Sequence, residues 1–226
     1  MKKSMLSTKQ SYLMCAVGIV VLFGILMGVC ESGMASTYIK GIMMTSCIAI
    51  IMTTSLNLTI GVLGQLTLGC CGFEAIGAYS AALLSKHVAN GVAMDPTLRF
   101  LLTTLAGGVV ACIFGILVGI PALRLHGDYL AIITLGFGEI IRVILTNIDS
   151  VIGTDFTYGA AGLKRIPKYS SFTLVFICVV LSCFFIHTMM KSKHGRAILS
   201  IRDNEIASES VGVNTTYYKT MAFVFS

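Results

Sequence analysis

What this chain can fold into is decided first by its apolar runs, several of which approach or exceed 18 residues. A hydrocarbon core about 30 Å thick is crossed by roughly 20 apolar residues of helix. Composition agrees: 56% of the residues are hydrophobic, 12% are charged and the mean hydropathy is +0.89, whereas soluble domains carry about 25% charged residues. The sequence therefore predicts an all-α, polytopic membrane protein. It has about six complete transmembrane helices and the start of a further one. No segment is polar enough to form a separate soluble domain, so residues 1–226 read as one membrane domain.

The formal charge of +6 does not indicate a nucleic-acid partner, because the basic residues cluster at the ends of apolar runs, as membrane topology requires. Of the eight cysteines, all but Cys30 lie in apolar runs. There is no C-x-x-C, and no His stands at ligand spacing from a Cys pair. They read as small hydrophobes, with no metal or disulfide framework.

Lys2, Lys3 and Lys9 precede a run from Tyr12 to Val29 that is longer than the apolar core of a cleavable signal, so it reads as a retained first span. Met34-Ala35-Ser36 resembles a cleavage site only weakly. The second span, about Gly41 to Ile60, is rich in Thr and Ser, which suit helix–helix contact. The third, Gly61 to Leu84, carries glycines at 61, 64, 69, 72 and 77, with Gln65 and Glu74 as polar residues. Such a cluster marks either a helix broken inside the bilayer or close packing of glycine faces. Glu74 must be paired or wet. The fourth span, Leu98 to Ile120, is ended by Pro121, and the turn after it carries Arg124 and His126, the latter read as an interfacial side chain.

The span Tyr129–Thr146 is the most constrained. Glu139 lies about 15 Å into it at ~1.5 Å per residue, near the bilayer midplane. Arg142 is within reach three residues on. At 100° per residue Thr134, Gly138, Arg142 and Thr146 form one stripe, with Glu139 beside it. Two readings stay open: a polar seam facing a pathway or partner helix, or an ion pair locking two helices together. Asn147 to Lys168 reads as a turn-rich loop and Ser170 to Met189 as the sixth span, with His187 interfacial.

Met189 to Lys219 is the least hydrophobic long stretch. Ile198, Ile201, Ile206 and Val211 give it a partial apolar face, so short amphipathic helices are expected. Asp203 is placed to cap a helix beginning at Asn204, and Gly212 to end it. A new apolar run then stops at Ser226, which suggests C-terminal truncation. With the N-terminus inside, nine basic side chains fall inside and six outside, and the Met189–Lys219 segment faces the cytoplasm.

Three blocks resemble the M-type permease subunits of bacterial branched-chain amino acid importers of the ATP-binding-cassette class. They are GQLTLGCCGFEAIGAYSAALL (64–84), GDYLAIITLGFGEIIRVILTN (127–147) and GRAILSIRDNEIASESVGVNTTYYKTMAFV (195–224). The middle block is the most specific, because its match is long and ungapped. The resemblance implies a plasma-membrane permease that pairs with a second permease subunit, two ATPase subunits and an extracytoplasmic substrate-binding protein. It implies no cofactor on this chain. No G-x-x-x-x-G-K-[ST] phosphate loop is present, so ATP is expected on the partners. The resemblance also implies a coupling loop, about residues 190–219, that seats on an ATPase. Arg196, Arg202 and Glu205 would make charged rim contacts, Ala207 close packing and Gly212 the turn. The family's E-A-A-x-x-x-G pattern is only approximated: Ile206 follows Glu205, and Ser208 replaces an Ala. Glu74 stands where the family usually has an uncharged residue.

The first functional reading is thus an ATP-driven importer of branched-chain or related amino acids. A urea or short-amide importer shares these motifs. An ion-coupled secondary transporter, with Glu74, Glu139 and Arg142 as relay, and a non-transporting scaffold remain as alternatives. An enzyme is disfavoured, for no Ser/His/Asp, Cys/His or metal constellation is visible.

Overall fold

The computed structural model describes residues 8–31, 36–88, 95–122, 125, 128–152, 157, 159, 162–163 and 170–226. Among them every regular element is helical. The order is α1 (Thr8–Glu31), α2 (Thr37–Asn57) continuing into a π-helical turn (Leu58–Val62), α3 (Cys70–Leu83) with a second π turn (Leu84–Val88), α4 (Pro96–Ala122), α5 (Asp128–Ile152), α6 (Phe172–Lys191), α7 (Lys193–Asp203), α8 (Glu205–Ser210) and α9 (Thr215–Phe225). Four of the described helices are long and apolar enough to cross a bilayer: Thr37–Val62, Pro96–Ala122, Tyr129–Ser150 and Phe172–Lys191. The expected six is thus matched at four. The first expected span contributes a shorter apolar stretch, Val17–Val29. The third, Gly61–Leu84, is interrupted: the chain leaves helical geometry at Leu63 and resumes it at Cys70.

Two layers of helix meet along the bundle. In one, α2 packs on α6 and α1 joins them through aromatic and aliphatic side chains. Cys47, Val175, Phe176 and Val179 form its core, and the Phe23 ring lies 5.0 Å from that of Phe176. His187, expected at an interface, meets the Tyr12 ring edge-on near one end. In the other layer α3 packs on α4 and α5. Helix α9 lies against α4 and the first π turn and so ties the layers together, with Phe223 edge-on to Phe73. The outward faces, such as Leu105, Val109 and Leu117 of α4, are exposed and apolar. A bilayer supplies the solvent such faces need.

Small residues set the α3–α4 distance. A Cβ on Gly107 would come within 2.6 Å of the Gly77 carbonyl oxygen and 2.9 Å of the Ala81 Cβ. With little hydrophobic drive between helices in lipid, this close backbone approach is the source of packing energy. Pro121 ends α4 as expected, standing one residue before its last. Helix α5 runs past the expected Thr146 to Ile152. The loop beyond it, and with it Arg124 and His126 of the preceding turn, lies mostly outside the described residues, as do Met34 and Ala35. Thr157 is described and buried: its hydroxyl donates to the Leu145 carbonyl at 2.9 Å, and its N–H donates to Asp149 Oδ1.

Adjacent glycines on α4 separate packing from propensity. Gly108 has open space around its Cβ position. Gly107→Ala should lower stability by about 1–3 kcal/mol through overpacking. Gly108→Ala should be neutral or raise it by up to about 1 kcal/mol through helix propensity. Thermal unfolding of the detergent-solubilised protein checks both, and equal effects would refute the packing assignment.

Candidate functional site

The helix break is the place where sequence and structure concentrate. Leaving a helix inside lipid frees backbone groups that need new partners. Here the Leu63 N–H donates to the Leu58 carbonyl and the Gln65 N–H to the Thr59 carbonyl, at 3.1 Å each. Gly64 takes φ +75°, a left-handed conformation that favours glycine. The Leu68 N–H reaches across to α5, where Thr134 Oγ1 accepts it at 3.1 Å. Thr134 is itself fully buried and donates to its own helix, at Leu130 or Ala131. On the same face a Cβ on Gly72 would lie 2.8 Å from Gly138 Cα, so α3 and α5 approach backbone to backbone just past the break. Both open readings of the glycine cluster therefore hold: the helix breaks, and its glycines pack.

The expected stripe on α5 divides. Thr134 is buried and Gly138 half-buried against the break, together with buried Leu130, Ala131 and Ile141. Arg142 and Glu139 instead occupy the outward face, with side chains 67% and 58% exposed. They pair with each other, Arg142 Nε lying 2.9 and 3.0 Å from the two carboxylate oxygens. The pairing is as expected. The pair sits within one helix, locks no second described helix, and faces outward, where the seam reading puts a partner helix or a pathway.

Below the bundle, α7, α8 and the polar first turns of α9 form a unit. Ser192 caps α7 and accepts from the Gly195 N–H at 3.4 Å. Asn204, not Asp203, caps α8 by accepting from the Ala207 N–H at 3.0 Å, because α7 runs through Asp203 and leaves Asn204 in the extended cap position. Gly212 ends α8 at φ +87°, as expected. Arg196 and Ala207 are exposed, but Glu205 turns to α9, where its carboxylate meets the Lys219 ammonium at 2.5 Å. Lys219 is 2% exposed. Arg202 folds back on the break, donating to the Gly61 carbonyl at 3.3 Å and to Asp203. Among its exposed polar side chains the unit also presents two large apolar ones, Ile206 at 82% and Val211 at 78% accessible. The Glu205–Lys219 pair was not anticipated, although Lys219 in a stretch turning apolar was the available signal.

Two cavities adjoin the break. One, of about 390 Å³, lies among α2, α3, α4 and α9, lined by Thr53, Thr67, Glu74, Met52, Phe73 and Phe223 among others. Glu74 meets it without a hydrogen bond or ion pair among the described residues. The other, of about 760 Å³, lies beside the contact between the break and the polar unit and is lined by Gly64, Gln65, Arg202, Glu205 and Lys219 among others. Gln65 Oε1 is buried and accepts no hydrogen bond among the described residues.

An all-helical arrangement with several spans long enough for a bilayer and an interrupted helix beside a polar helical unit defines the class: a multi-pass membrane protein. The family model described as branched-chain amino acid transport system / permease component matches residues 38–226, and the chain belongs to that family. It is similar to the high-affinity branched-chain amino acid transport system permease protein LivM of Salmonella typhimurium and of Escherichia coli. Each is 36% identical over 213 residues, 79% of this chain and 47% of the relative. The chain thus spans about half the length of the curated relatives it matches. No solved structure matches it.

Two buried contacts give graded outcomes. Thr134→Val keeps the shape but leaves the Leu68 N–H without its acceptor, a loss of about 1–3 kcal/mol. Hydrogen–deuterium exchange across residues 63–69 should rise, whereas Thr134→Ser should resemble wild type. Glu205→Ala strands the buried Lys219 ammonium and should cost about 3–5 kcal/mol. Lys219→Met should cost less, since Glu205 is partly solvated. Thermal unfolding would show the order, and the reverse order would refute it.

Proposed function

We propose that this chain is a permease subunit of an ATP-driven importer of branched-chain or related apolar amino acids in the bacterial inner membrane. The observation that carries this is the family membership of residues 38–226, which includes both the broken helix and the polar unit. In this reading α1 and α3 add two crossings to the four long helices, the N-terminus and residues 189–219 face the cytoplasm, and the end of α9 begins a further crossing. That orientation places the long basic segment inside. A second permease subunit and two ATPase subunits complete the membrane assembly, and an extracytoplasmic binding protein delivers substrate.

Helix α8 is the part suited to meet an ATPase. Ile206 within it and Val211 just after it are exposed apolar anchors, and Arg196, Ala207 and Gly212 lie on the same unit. Buried apolar anchors with a polar rim are how such interfaces gain affinity. Glu205 holds the unit in shape through Lys219, whereas Arg202 folds back on the break. Nucleotide-dependent differences in how the ATPase binds this surface would drive alternating access. The substrate path runs along the break, with Gln65, Glu74, Thr134 and Gly138 beside it. The 390 Å³ cavity, apolar with a few polar groups, suits a small zwitterion with an aliphatic side chain.

The test is uptake by the full-length subunit reconstituted in vesicles with its second permease, ATPases and binding protein. Leucine, isoleucine or valine should accumulate only with ATP, and Ile206→Glu should abolish ATPase association and reduce uptake at least tenfold. ATP-dependent uptake of urea or short amides in place of amino acids would reassign the substrate. Uptake without any ATPase that follows a proton gradient and is lost in Glu74→Gln would overturn the reading in favour of an ion-coupled transporter.

A further inference from the structure

The structure joins the polar unit to the helix break by one side chain. Unwinding at Leu63 redirects the Gln65 N–H, which would close an ordinary turn on Gly61, to the Thr59 carbonyl. The Gly61 carbonyl then accepts from Arg202 Nη1 of α7 at 3.3 Å. Asp203 steadies the guanidinium, with its Oδ1 accepting from Nε and Nη2 at 3.3 and 3.2 Å. The methylenes of the same side chain lie over Gly64, where a Cβ would stand 2.7 Å from Arg202 Cγ. Beneath this contact Ile198 and Ile201 of α7 share a buried core with Leu58 and Leu63, which flank the π turn, and with Ala222 of α9. The break is therefore held from one side by apolar packing and capped by a charged donor on a carbonyl that unwinding has freed.

We propose that Arg202 is a positioning residue for the transport step: it ties the unwound segment Leu63–Gly69 to the unit α7–α9, so that displacement of that unit moves the segment within the membrane. This rests on the reading of the chain as an ATPase-driven permease. Two further features fit a segment that moves. The 760 Å³ cavity leaves room beside the contact between the break and the unit. The buried Gln65 Oε1 accepts no hydrogen bond among the described residues, so this arrangement leaves one bond for another position to supply. The seat needs both properties of arginine, a long apolar stem and a planar multi-donor head, which lysine supplies only in part.

Two measurements on the full-length subunit separate this proposal from the function it rests on. On the purified subunit, hydrogen–deuterium exchange over residues 61–69 should rise at least tenfold in Arg202→Ala and less in Arg202→Lys. Unchanged exchange in both variants overturns the tie whatever transport does. In the reconstituted transporter Arg202→Ala should keep ATPase association and hydrolysis within about twofold of wild type while amino acid taken up per ATP falls about tenfold, and Arg202→Lys should recover part of it. An unchanged uptake per ATP, or a loss that follows the amount of assembled complex, overturns the positioning role. Wild-type uptake that needs no ATP overturns the permease reading instead, and the exchange result still reports on the contact itself.

Discussion

The fold depends on how a peptide backbone is kept satisfied where the chain stops being helical inside a membrane. Helical turns carry their own hydrogen bonds, and an interruption gives them up with no water to replace them. Between Gly61 and Gly69 the replacements come from three directions. The π turn supplies the Leu58 and Thr59 carbonyls, α5 supplies Thr134, and α7 supplies Arg202. The break thus organises its neighbours: α5 must come close enough for a threonine to reach, and α7 must lie across the end of α2.

Close approach has its own requirement, and glycine meets it. Gly72 faces Gly138 across α3 and α5, and Gly77 faces Gly107 across α3 and α4, with space too small for a Cβ at Gly72 and at Gly107. In lipid the helices gain little from burying apolar surface against one another, so backbone contact carries the association. The same glycines that weaken a helix by propensity therefore strengthen the bundle, and the break sits where their density is greatest.

Much of this was legible in the residues, and the failures have definite causes. Length and hydropathy gave the helical membrane class and most span positions. The glycine cluster from Gly61 to Gly77 marked the break region, but not its limits, because a π turn lets the second helix run past glycine to Val62. The period of α5 grouped Arg142 with Thr134 and Gly138, yet eight residues at 100° each drift by 80°, enough to carry Arg142 off the buried stripe and onto the face of Glu139. Arg202 and Glu205 read as rim charges because sequence shows charge without direction. Their partners, Gly61 and Lys219, lie 141 and 14 residues away and become neighbours only when the bundle closes.

Helix α5 then acquires a particular position in the molecule. Its inner face, through Thr134 and Gly138, holds the break. Its outer face presents the Glu139–Arg142 pair at the depth where lipid tolerates charge least. Pairing within one helix neutralises the net charge but leaves both groups with unsatisfied hydrogen-bonding capacity, since a carboxylate accepts at about four sites and a guanidinium donates from five N–H groups. A lipid chain satisfies none of these, so the outer face is built to meet protein or water. Whatever occupies it is separated from the unwound segment by the width of one helix, and α5 is the element through which the two would sense each other. The polar unit reaches the same segment from the other side through Arg202. The break between α2 and α3 thereby stands between two contacts, one within the membrane and one at its surface. In the proposed function, that connection is what an ATPase at the surface would act through.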